Sequence, residues 1–489
     1  MKKLLSLALL CALLFSLAAC ADPVIGGAPA EEPLAADPDS VPEAVIELNG
    51  DSVSCRTKGV AVDGSVVTIG APGSYTLRGT LSDGRVIVDL KENPGKVSLY
   101  LDGVDITCLN DSAIWLVQAK ELNLVLVAGS KNTVTSGTAA DLAAYDESRQ
   151  GAAIFAEDDL DVQGEGSLTV LGYLNNGVTC KDDLKIKGGR LLVYAVNNGL
   201  RASESVTVTG GTVDIEAGND GIKTSSAKKA DKGFIQIEDG ALTVVSVGDG
   251  IAAETELRIL GGSITVTAEG DPAAASCKGL KGKTGVVISG GTINVTAQDH
   301  AVRSGAALTV SGGTLTARSL QGKGLAAETE LRIESGTVAV RSADDGVACA
   351  DTVRITGGTL RVVSGADGIQ GGKKGTGFGD TVGTVSFEGG QTAVSAFNKP
   401  IDAKAALRIS GGTVFACGGT LQPESELPFV LFALDGRAGD ELTLDLEGVE
   451  PLEAAYLYRT VFFAGEGLSE GQSVRLQAGS QSREASASR

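Results

Sequence analysis

From about residue 176 to residue 412, apolar and polar residues alternate in short runs separated by glycine-rich turns. Between Ser205 and Ser225, Val206 and Val208 alternate with threonines, Gly210-Gly211 follows, and a second alternating run leads to Asp220-Gly221. Alternation with a period of two and an enrichment in Val, Ile and Thr are typical of β-strands. The glycines favour turns, because they adopt backbone conformations that other residues resist. The pattern predicts three short strands in each unit.

This unit recurs with a period close to 22 residues. An Asn/Asp-Gly-aliphatic motif and its degenerate copies place a marker at positions 177, 199, 221, 250, 279, 301, 324, 346 and 368. So short a unit cannot bury its own apolar face, and neighbouring units must therefore stack. The sequence predicts an all-β fold, a parallel β-helix with about 22 residues per rung, and fold precedent makes it right-handed.

The flanking regions also have strand-like patterns, but their spacing is irregular. We expect a β-helix domain over residues 45–420, in which residues 45–150 form irregular N-terminal rungs and a cap. Residues 421–480 are expected to form a small C-terminal β cap or sandwich, and residues 481–489 a polar tail. Such a cap would cover the open end of the stacked sheets.

The first 20 residues resemble the export signal of a bacterial lipoprotein. A basic start precedes the apolar run Leu4–Leu17, which is too short for a comfortable membrane span, and Leu17-Ala18-Ala19-Cys20 resembles a lipobox. We expect residues 1–19 to be removed, Cys20 to be acylated, and residues 20–44, which are rich in proline, to form an extended tether. The protein would then be extracytoplasmic, contacting the cell membrane only through its lipid anchor. A plain secretory signal with a chance cysteine is the alternative.

Composition and charge restrict the chemistry that this chain can carry. Among 489 residues there is one His and one Trp, and 61 Asp and Glu outnumber 41 Lys and Arg, for a formal net charge of −20. An acidic surface repels phosphate backbones, which argues against nucleic acid as a partner. A single histidine excludes a His-rich metal site. Any chemistry must therefore come from carboxylates, lysines and arginines.

Two rows of oxygen-bearing side chains are in phase with the repeat. Clustered carboxylates repel one another unless a cation lies between them, and such oxygens suit Ca²⁺. The alternative for the row that precedes the marker glycine is turn chemistry, because Asn and Asp favour left-handed turns. The sequence predicts calcium as the cofactor, with candidate ligands in these two rows: Asp158, Asp159, Asp182, Asp183, Asn198, Asp220 and Asp249.

Three other residues are candidates for contacts with a ligand. Lys223 follows the Asp220 motif and is a candidate Brønsted base or sugar contact. Its alternative is a solvated lysine that balances nearby acids. Tyr173 and Tyr194 could stack on sugar rings, with packing in the core or cap as the alternative. Spacing alone defines no catalytic constellation.

Several segments resemble a bacterial carbohydrate-binding family first described in a cellulolytic clostridium. They are Val97–Thr107, Gly151–Val170, Cys180–Gly189 and Asn219–Lys223, within a resemblance that covers roughly residues 45–480. The resemblance implies a right-handed parallel β-helix like that of pectate lyases, bound calcium, and binding of cellulose and polygalacturonate. Where the family favours Asp-Asp-Gly, this chain has Asn-Asn-Gly at residues 175–177 and 197–199, which puts one or more calcium sites in doubt.

Three functional hypotheses follow. The first is a cell-surface lipoprotein that binds polysaccharide, either cellulose or acidic pectin-like glycans, through a calcium-assisted face of the β-helix and without catalysis. The second is a calcium-dependent polysaccharide lyase that acts by β-elimination, with Lys223 as base. The third is a structural adhesin or spacer.

Overall fold

The computed structural model describes residues 44–91, 95–138, 150–227, 231–372, 383–423 and 425–489. The predicted signal segment 1–19, the lipidated Cys20 and nearly all of the tether 20–44 lie outside the described residues. Every described residue belongs to one compact unit, Pro42–Arg489. The described part of the chain contains no helix with the length and hydrophobicity needed to cross a bilayer.

The regular elements of the described residues are strands. The N-terminal strands are β1 Ala44–Gly50, β2 Val53–Ser54, β3 Val60–Asp63, β4 Val66–Ile69, β5 Gly73–Leu81, β6 Arg85–Asp89, β7 Lys96–Cys108, β8 Ile114–Gln118, β9 Glu121–Leu126 and β10 Lys131–Ser136. The strands of the repeat are β11 Ile154–Ala156, β12 Asp159–Gly164, β13 Ser167–Gly172, β14 Val178–Cys180, β15 Asp183–Ile186, β16 Arg190–Ala195, β17 Leu200–Ala202, β18 Ser205–Val208, β19 Thr212–Ala217, β20 Ile222–Thr224, β21 Phe234–Ile237, β22 Ala241–Ser246, β23 Ile251–Ala253, β24 Glu256–Ile259, β25 Ser263–Ala268, β26 Leu280–Gly282, β27 Gly285–Ile288, β28 Thr292–Ala297, β29 Val302–Ser304, β30 Ala307–Val310, β31 Thr314–Ser319, β32 Leu325–Ala327, β33 Glu330–Ile333, β34 Thr337–Ser342, β35 Val347–Cys349, β36 Thr352–Ile355, β37 Thr359–Ser364 and β38 Ile369–Gly371. The C-terminal strands are β39 Thr384–Ala396, β40 Ile401–Ala403, β41 Ala406–Gly418, β42 Phe429–Gly436, β43 Glu441–Leu444, β44 Leu452–Glu453, β45 Tyr458–Gly465, β46 Ser473–Ala478 and β47 Gln481–Ser486.

From β14 to β37, each rung of the repeat holds a strand of three residues, one of four and one of six, as in β17, β18 and β19. Each strand pairs in parallel with its equivalent in the next rung. β17 pairs with β20, β18 with β21, and β19 with β22. The prediction of an all-β parallel β-helix with three strands per rung is therefore confirmed.

The core of the β-helix is filled by the alternating aliphatic residues. Val206 and Val208 of β18 and Val213 of β19 are completely buried, and Ile215 is 3% exposed. The intervening residues of these strands lie on the outer surface. Because the strands pair in register, each buried side chain stacks on its equivalent in the next rung, such as Val206 on Ile235.

Glycine is required at the two recurring positions for different structural reasons. Gly211, in the turn between β18 and β19, has φ +88°, a left-handed conformation that favours glycine. Gly221, in the Asp-Gly motif, has no such φ. A Cβ atom there would lie 2.2 Å from Val244 Cγ1 and 2.6 Å from the Gly250 carbonyl oxygen. The Asp-Gly glycine therefore permits close packing of one rung on the next, and left-handed turn geometry does not explain it.

The C-terminal strands cover the last rung. β41 pairs with β45 in antiparallel orientation, and β43, β44, β46 and β47 form a separate four-stranded sheet. Residues 481–489, expected to be a polar tail, instead contribute β47, which pairs with β46 along its length. The side chains of β47 are mostly exposed, so this edge strand is held by backbone hydrogen bonds that an apolar pattern does not reveal.

Candidate functional site

Three of the predicted metal ligands meet at the corner that follows the three-residue strands. Asp159 starts β12, Asp183 starts β15, and Asp182 precedes it. One carboxylate oxygen from each of the three lies within 4.8 Å of the others, and all three residues are partly buried. We call Asp159, Asp182 and Asp183 the acidic cluster. Stacking of rungs in register brings these carboxylates together although they are distant in sequence.

Two carboxyl groups of the acidic cluster have raised pKa values. A side-chain hydrogen bond with Glu204, reinforced by burial and by neighbouring carboxylates, raises the pKa of Asp182 to about 7. Burial also raises the pKa of Asp159 above its ordinary value. The charged form of the acidic cluster is therefore disfavoured unless a cation compensates it.

Lys232 is a member of this site that the sequence analysis missed. Its Nζ lies 2.9 Å from Asp183 Oδ2 and 2.8 Å from Glu204 Oε2. Hydrogen bonding to Glu204 and Asp183 raises the pKa of the ammonium group, which keeps it protonated. Lys232 lies in the longer connection between β20 and β21, where the repeat spacing rises from 22 to 29 residues. That longer spacing is the signal that could have drawn attention to it.

Asp158 is separate from the acidic cluster. Its Oδ2 accepts a hydrogen bond from the Ala119 backbone N–H of the preceding rung, at 3.0 Å. The two neighbouring aspartates therefore have different contacts. The carboxylate of Asp158 bridges adjacent rungs, and that of Asp159 belongs to the acidic cluster.

The second predicted row, Asn198, Asp220 and Asp249, lies before the three-residue strands and away from the acidic cluster. These side chains are buried, with exposures of 4%, 5% and 2%. Each Oδ1 accepts a hydrogen bond from the backbone N–H at the equivalent position in the next rung. The distances are 3.3 Å from Asp220 N, 2.8 Å from Asp249 N and 2.9 Å from Lys278 N. We call this row the polar ladder.

Lysines occupy the remaining carboxylate oxygens of the polar ladder. Lys223 Nζ lies 2.6 Å from Asp220 Oδ2, and Lys281 Nζ lies 2.7 Å from Asp249 Oδ2. Because both oxygens of each aspartate already have partners, the polar ladder does not fit a metal site. The acidic cluster differs because three carboxylates converge there, as Ca²⁺ requires, although Asp183 is already bonded to Lys232 and Ser205, with which a bound ion would compete.

The two tyrosines selected from the sequence are in contact. Their ring centroids are 5.5 Å apart, and the ring planes are inclined by 52°. Tyr194 lies on the outer face of β16 and pairs in register with Leu171, while Leu192 of the same strand is 37% exposed. Tyr173, Tyr194, Leu171 and Leu192 form what we call the tyrosine patch. Core packing, the alternative raised for both tyrosines, does not describe this partly exposed pair.

Known proteins that are similar to this chain have descriptions related to carbohydrates. A family model described as "Carbohydrate-binding domain-containing protein" matches residues 63–324 and 313–427. A protein of that description from Acetivibrio thermocellus is 33% identical over 171 residues, which are 35% of this chain and 59% of the relative. A solved structure described as the polysaccharide lyase-like protein from C. thermocellum, gadolinium derivative, is 30% identical. The match covers 55% of this chain and 96% of that one, with a TM-score of 0.44. Since the family model covers most of the sequence, the chain belongs to the family of carbohydrate-binding domain-containing proteins.

Proposed function

We propose that the protein binds polysaccharide, cellulose or an acidic pectin-like glycan, on the outer face of its β-helix and without catalysis. The observation that carries this proposal is the contact between Tyr173 and Tyr194 at 5.5 Å. A partly exposed aromatic pair bordered by Leu171 and Leu192 offers an apolar surface to the face of a sugar ring. The tyrosine hydroxyls can at the same time form hydrogen bonds with sugar hydroxyls.

We further propose that the acidic cluster holds Ca²⁺. Asp159, Asp182 and Asp183 would supply the oxygen ligands. When bound, the ion would neutralise the cluster and could attract a carboxylate of an acidic glycan. The convergence of three carboxylates within 4.8 Å supports the proposal, and the pKa of Asp182 is raised by a hydrogen bond with Glu204, by burial and by these neighbouring carboxylates.

Binding is favoured over β-elimination by the state of the described lysines near these sites. Lys223, the candidate base, is ion-paired with Asp220, and Lys232 is ion-paired with Asp183 and Glu204. A base must accept a proton, and the Lys232 ammonium group, held between two carboxylates, is a poor acceptor, while the Nζ of Lys223 is engaged by Asp220. Unsaturated product released from a panel of uronate polymers would contradict this choice.

The test is retention on insoluble cellulose and mobility in gels that contain polygalacturonate, with calcium or with a chelator. The variant Tyr194→Ala should bind about fivefold more weakly, because an aromatic contact contributes about 1 kcal/mol. Tyr456→Ala is the matched control, since Tyr456 also pairs with an aromatic ring, that of Phe397, at 5.9 Å. Equal binding by both variants would remove the tyrosine patch from the proposal. Binding that does not change with the chelator would remove calcium.

We also propose that the lipid anchor predicted at Cys20 holds the protein at the cell membrane. Cys20→Ser removes the thiol that the acyl chains require. The variant should therefore appear in the soluble fraction of cells, whereas the unaltered protein sediments with membranes. Equal sedimentation of both would contradict the anchor.

A further inference from the structure

A gap interrupts the outer surface of the sheet formed by the three-residue strands. The central residues of these strands point outward and pair in register: Arg303 of β29 with Ala326 of β32, Ala326 with Ala348 of β35, and Ala348 with Gln370 of β38. Two alanines therefore lie between two long side chains. Because parallel strands are about 4.8 Å apart, the backbones of Arg303 and Gln370 are separated by roughly 14 Å.

This gap is a shallow depression of about 100 Å³ that is open to solvent. Ala326 and Ala348, which are 3% and 5% exposed, lie at its base and present methyl groups. His300, Arg303, Lys323, Glu328 and Gln370 surround them. This volume is well below the roughly 300–1,000 Å³ typical of drug-sized sites, so the depression accommodates no more than one face of a single small ring. We call it the alanine depression.

The charges at the rim of the alanine depression are paired. Arg303 contacts Glu328 in an ion pair, and Lys323 Nζ contacts Asp345 Oδ2 and lies 3.5 Å from Gln370 Oε1. Opposite charges in equal number give little net attraction for an ion. They do place hydrogen-bond donors and acceptors side by side, as vicinal sugar hydroxyls require.

His300 completes the rim. Its Nδ1 accepts a hydrogen bond from the Lys323 backbone N–H at 3.2 Å and lies 2.8 Å from Asp299 Oδ1, to which it could donate only if it carried the proton instead. Burial lowers the pKa of the imidazole below its ordinary value, so the ring is neutral at neutral pH. The rim is consequently polar and close to neutral overall.

We propose that the alanine depression is a binding subsite for one neutral pyranose ring of a polysaccharide. The methyl groups of Ala326 and Ala348 would face the apolar side of the ring. The paired groups at the rim would bind its hydroxyls. This inference rests on the proposed polysaccharide binding, but the subsite is distinct from the tyrosine patch, which lies on another sheet and several rungs away.

The test is saturation-transfer NMR on the full chain, with methyl β-glucopyranoside and methyl β-galactopyranoside as neutral probes and galacturonate as the acidic one. The neutral probes should bind, and Ala348→Phe should weaken them about tenfold, or ~1.4 kcal/mol, by filling the depression. Gln370→Ala, which adds no bulk, should also weaken them. Ala252→Phe is the matched control, because Ala252 has the same outward position on β23, outside the depression.

Each outcome decides the matter. The subsite is supported if Ala348→Phe and Gln370→Ala weaken binding of the neutral probes and Ala252→Phe does not. A preference for galacturonate, no binding of the neutral probes, or equal effects of the two phenylalanine variants would overturn it. If polysaccharide binding persists and depends on Tyr194 but not on Ala348, the subsite fails and the proposed function stands. If the unaltered protein binds no polysaccharide, the proposed function itself is contradicted, and the subsite with it.

Discussion

The hydrogen bond between the carboxyl groups of Asp182 and Glu204 can form only while one of the two groups is protonated. Between pH 4 and pH 7 the folded protein therefore binds more protons at this pair than the unfolded chain does, since the pKa of Asp182 is raised from 3.8 to about 7. The free energy of unfolding should consequently decrease, through this pair, as the pH rises from about 4 to 7. A cation bound at the acidic cluster would oppose the decrease at neutral pH.

The variant Asp182→Asn should remove this pH dependence. In chelator, its melting temperature relative to the unaltered protein should rise between pH 5 and pH 8. The gain is of the order of 0.5 kcal/mol, because partly exposed charges are screened. Thermal unfolding followed by circular dichroism at several pH values measures it. Asp105→Asn, at an exposed position of β7, is the control. A constant difference across the pH range would contradict the coupling.

At the scale of single residues, the sequence predicts positions better than roles. The recurring glycines are visible in the sequence, but Gly211 is required by its φ of +88° and Gly221 by the side chain of Val244. Asp159 and Asp183 are likewise visible, whereas Lys232 joins them only through the stacking of rungs. Spacing identifies residues that share a corner. It does not reveal which atoms already have partners.

At the scale of elements, alternation with a period of two predicts the strands because it is a local consequence of one buried and one exposed face. The polar ladder shows what the pattern leaves open. Asn198 and Asp220 have the residue types expected of metal ligands, yet their oxygens accept backbone hydrogen bonds that join adjacent rungs. Only the position of the neighbouring backbone distinguishes the two roles.

Asn198→Ala should lower the free energy of unfolding by about 1–3 kcal/mol, because it leaves buried hydrogen-bonding groups unsatisfied. Asn198 Nδ2 donates to Asn176 Oδ1 at 2.9 Å, and Asn198 Oδ1 accepts from Asp220 N. Asn197→Ala is the control, since Asn197 forms a similar bond with Asn175 but is less buried. Urea denaturation measures both. If the two variants lower the free energy of unfolding equally, the deeper burial of the polar ladder makes no additional contribution to stability.

At the scale of the whole molecule, β41 and β45 join the cap and the β-helix. Val414 and Ala416 of β41 pack in the core of the β-helix, and Phe415 and Cys417 pack in that of the cap. β45 alternates its side chains between two cores: Phe462 and Ala464 pack in the core of the β-helix, and Val461 and Phe463 pack in that of the cap. The cap strands could be predicted from apolar runs, whereas this sharing could not, because it depends on how β45 pairs with β41.

Phe462→Ala should therefore destabilise both parts together. A completely buried phenylalanine leaves a cavity that costs about 3–5 kcal/mol. Leu457→Ala, at a neighbouring position that is 65% exposed, should have little effect. Calorimetry should show one transition that moves to lower temperature. Two separate transitions in the unaltered protein would show that the cap and the β-helix do not unfold together.

The stacking of equivalent strands in register also has a mechanical consequence. Each rung of the repeat is held mainly by its two neighbours, so a load applied to the chain ends acts on one interface at a time. Each rung that detaches would release about 75 Å of chain, from 22 residues at roughly 3.4 Å each. The repeat would thus yield to tension in a series of nearly equal steps, each of which dissipates work and leaves the remaining rungs intact.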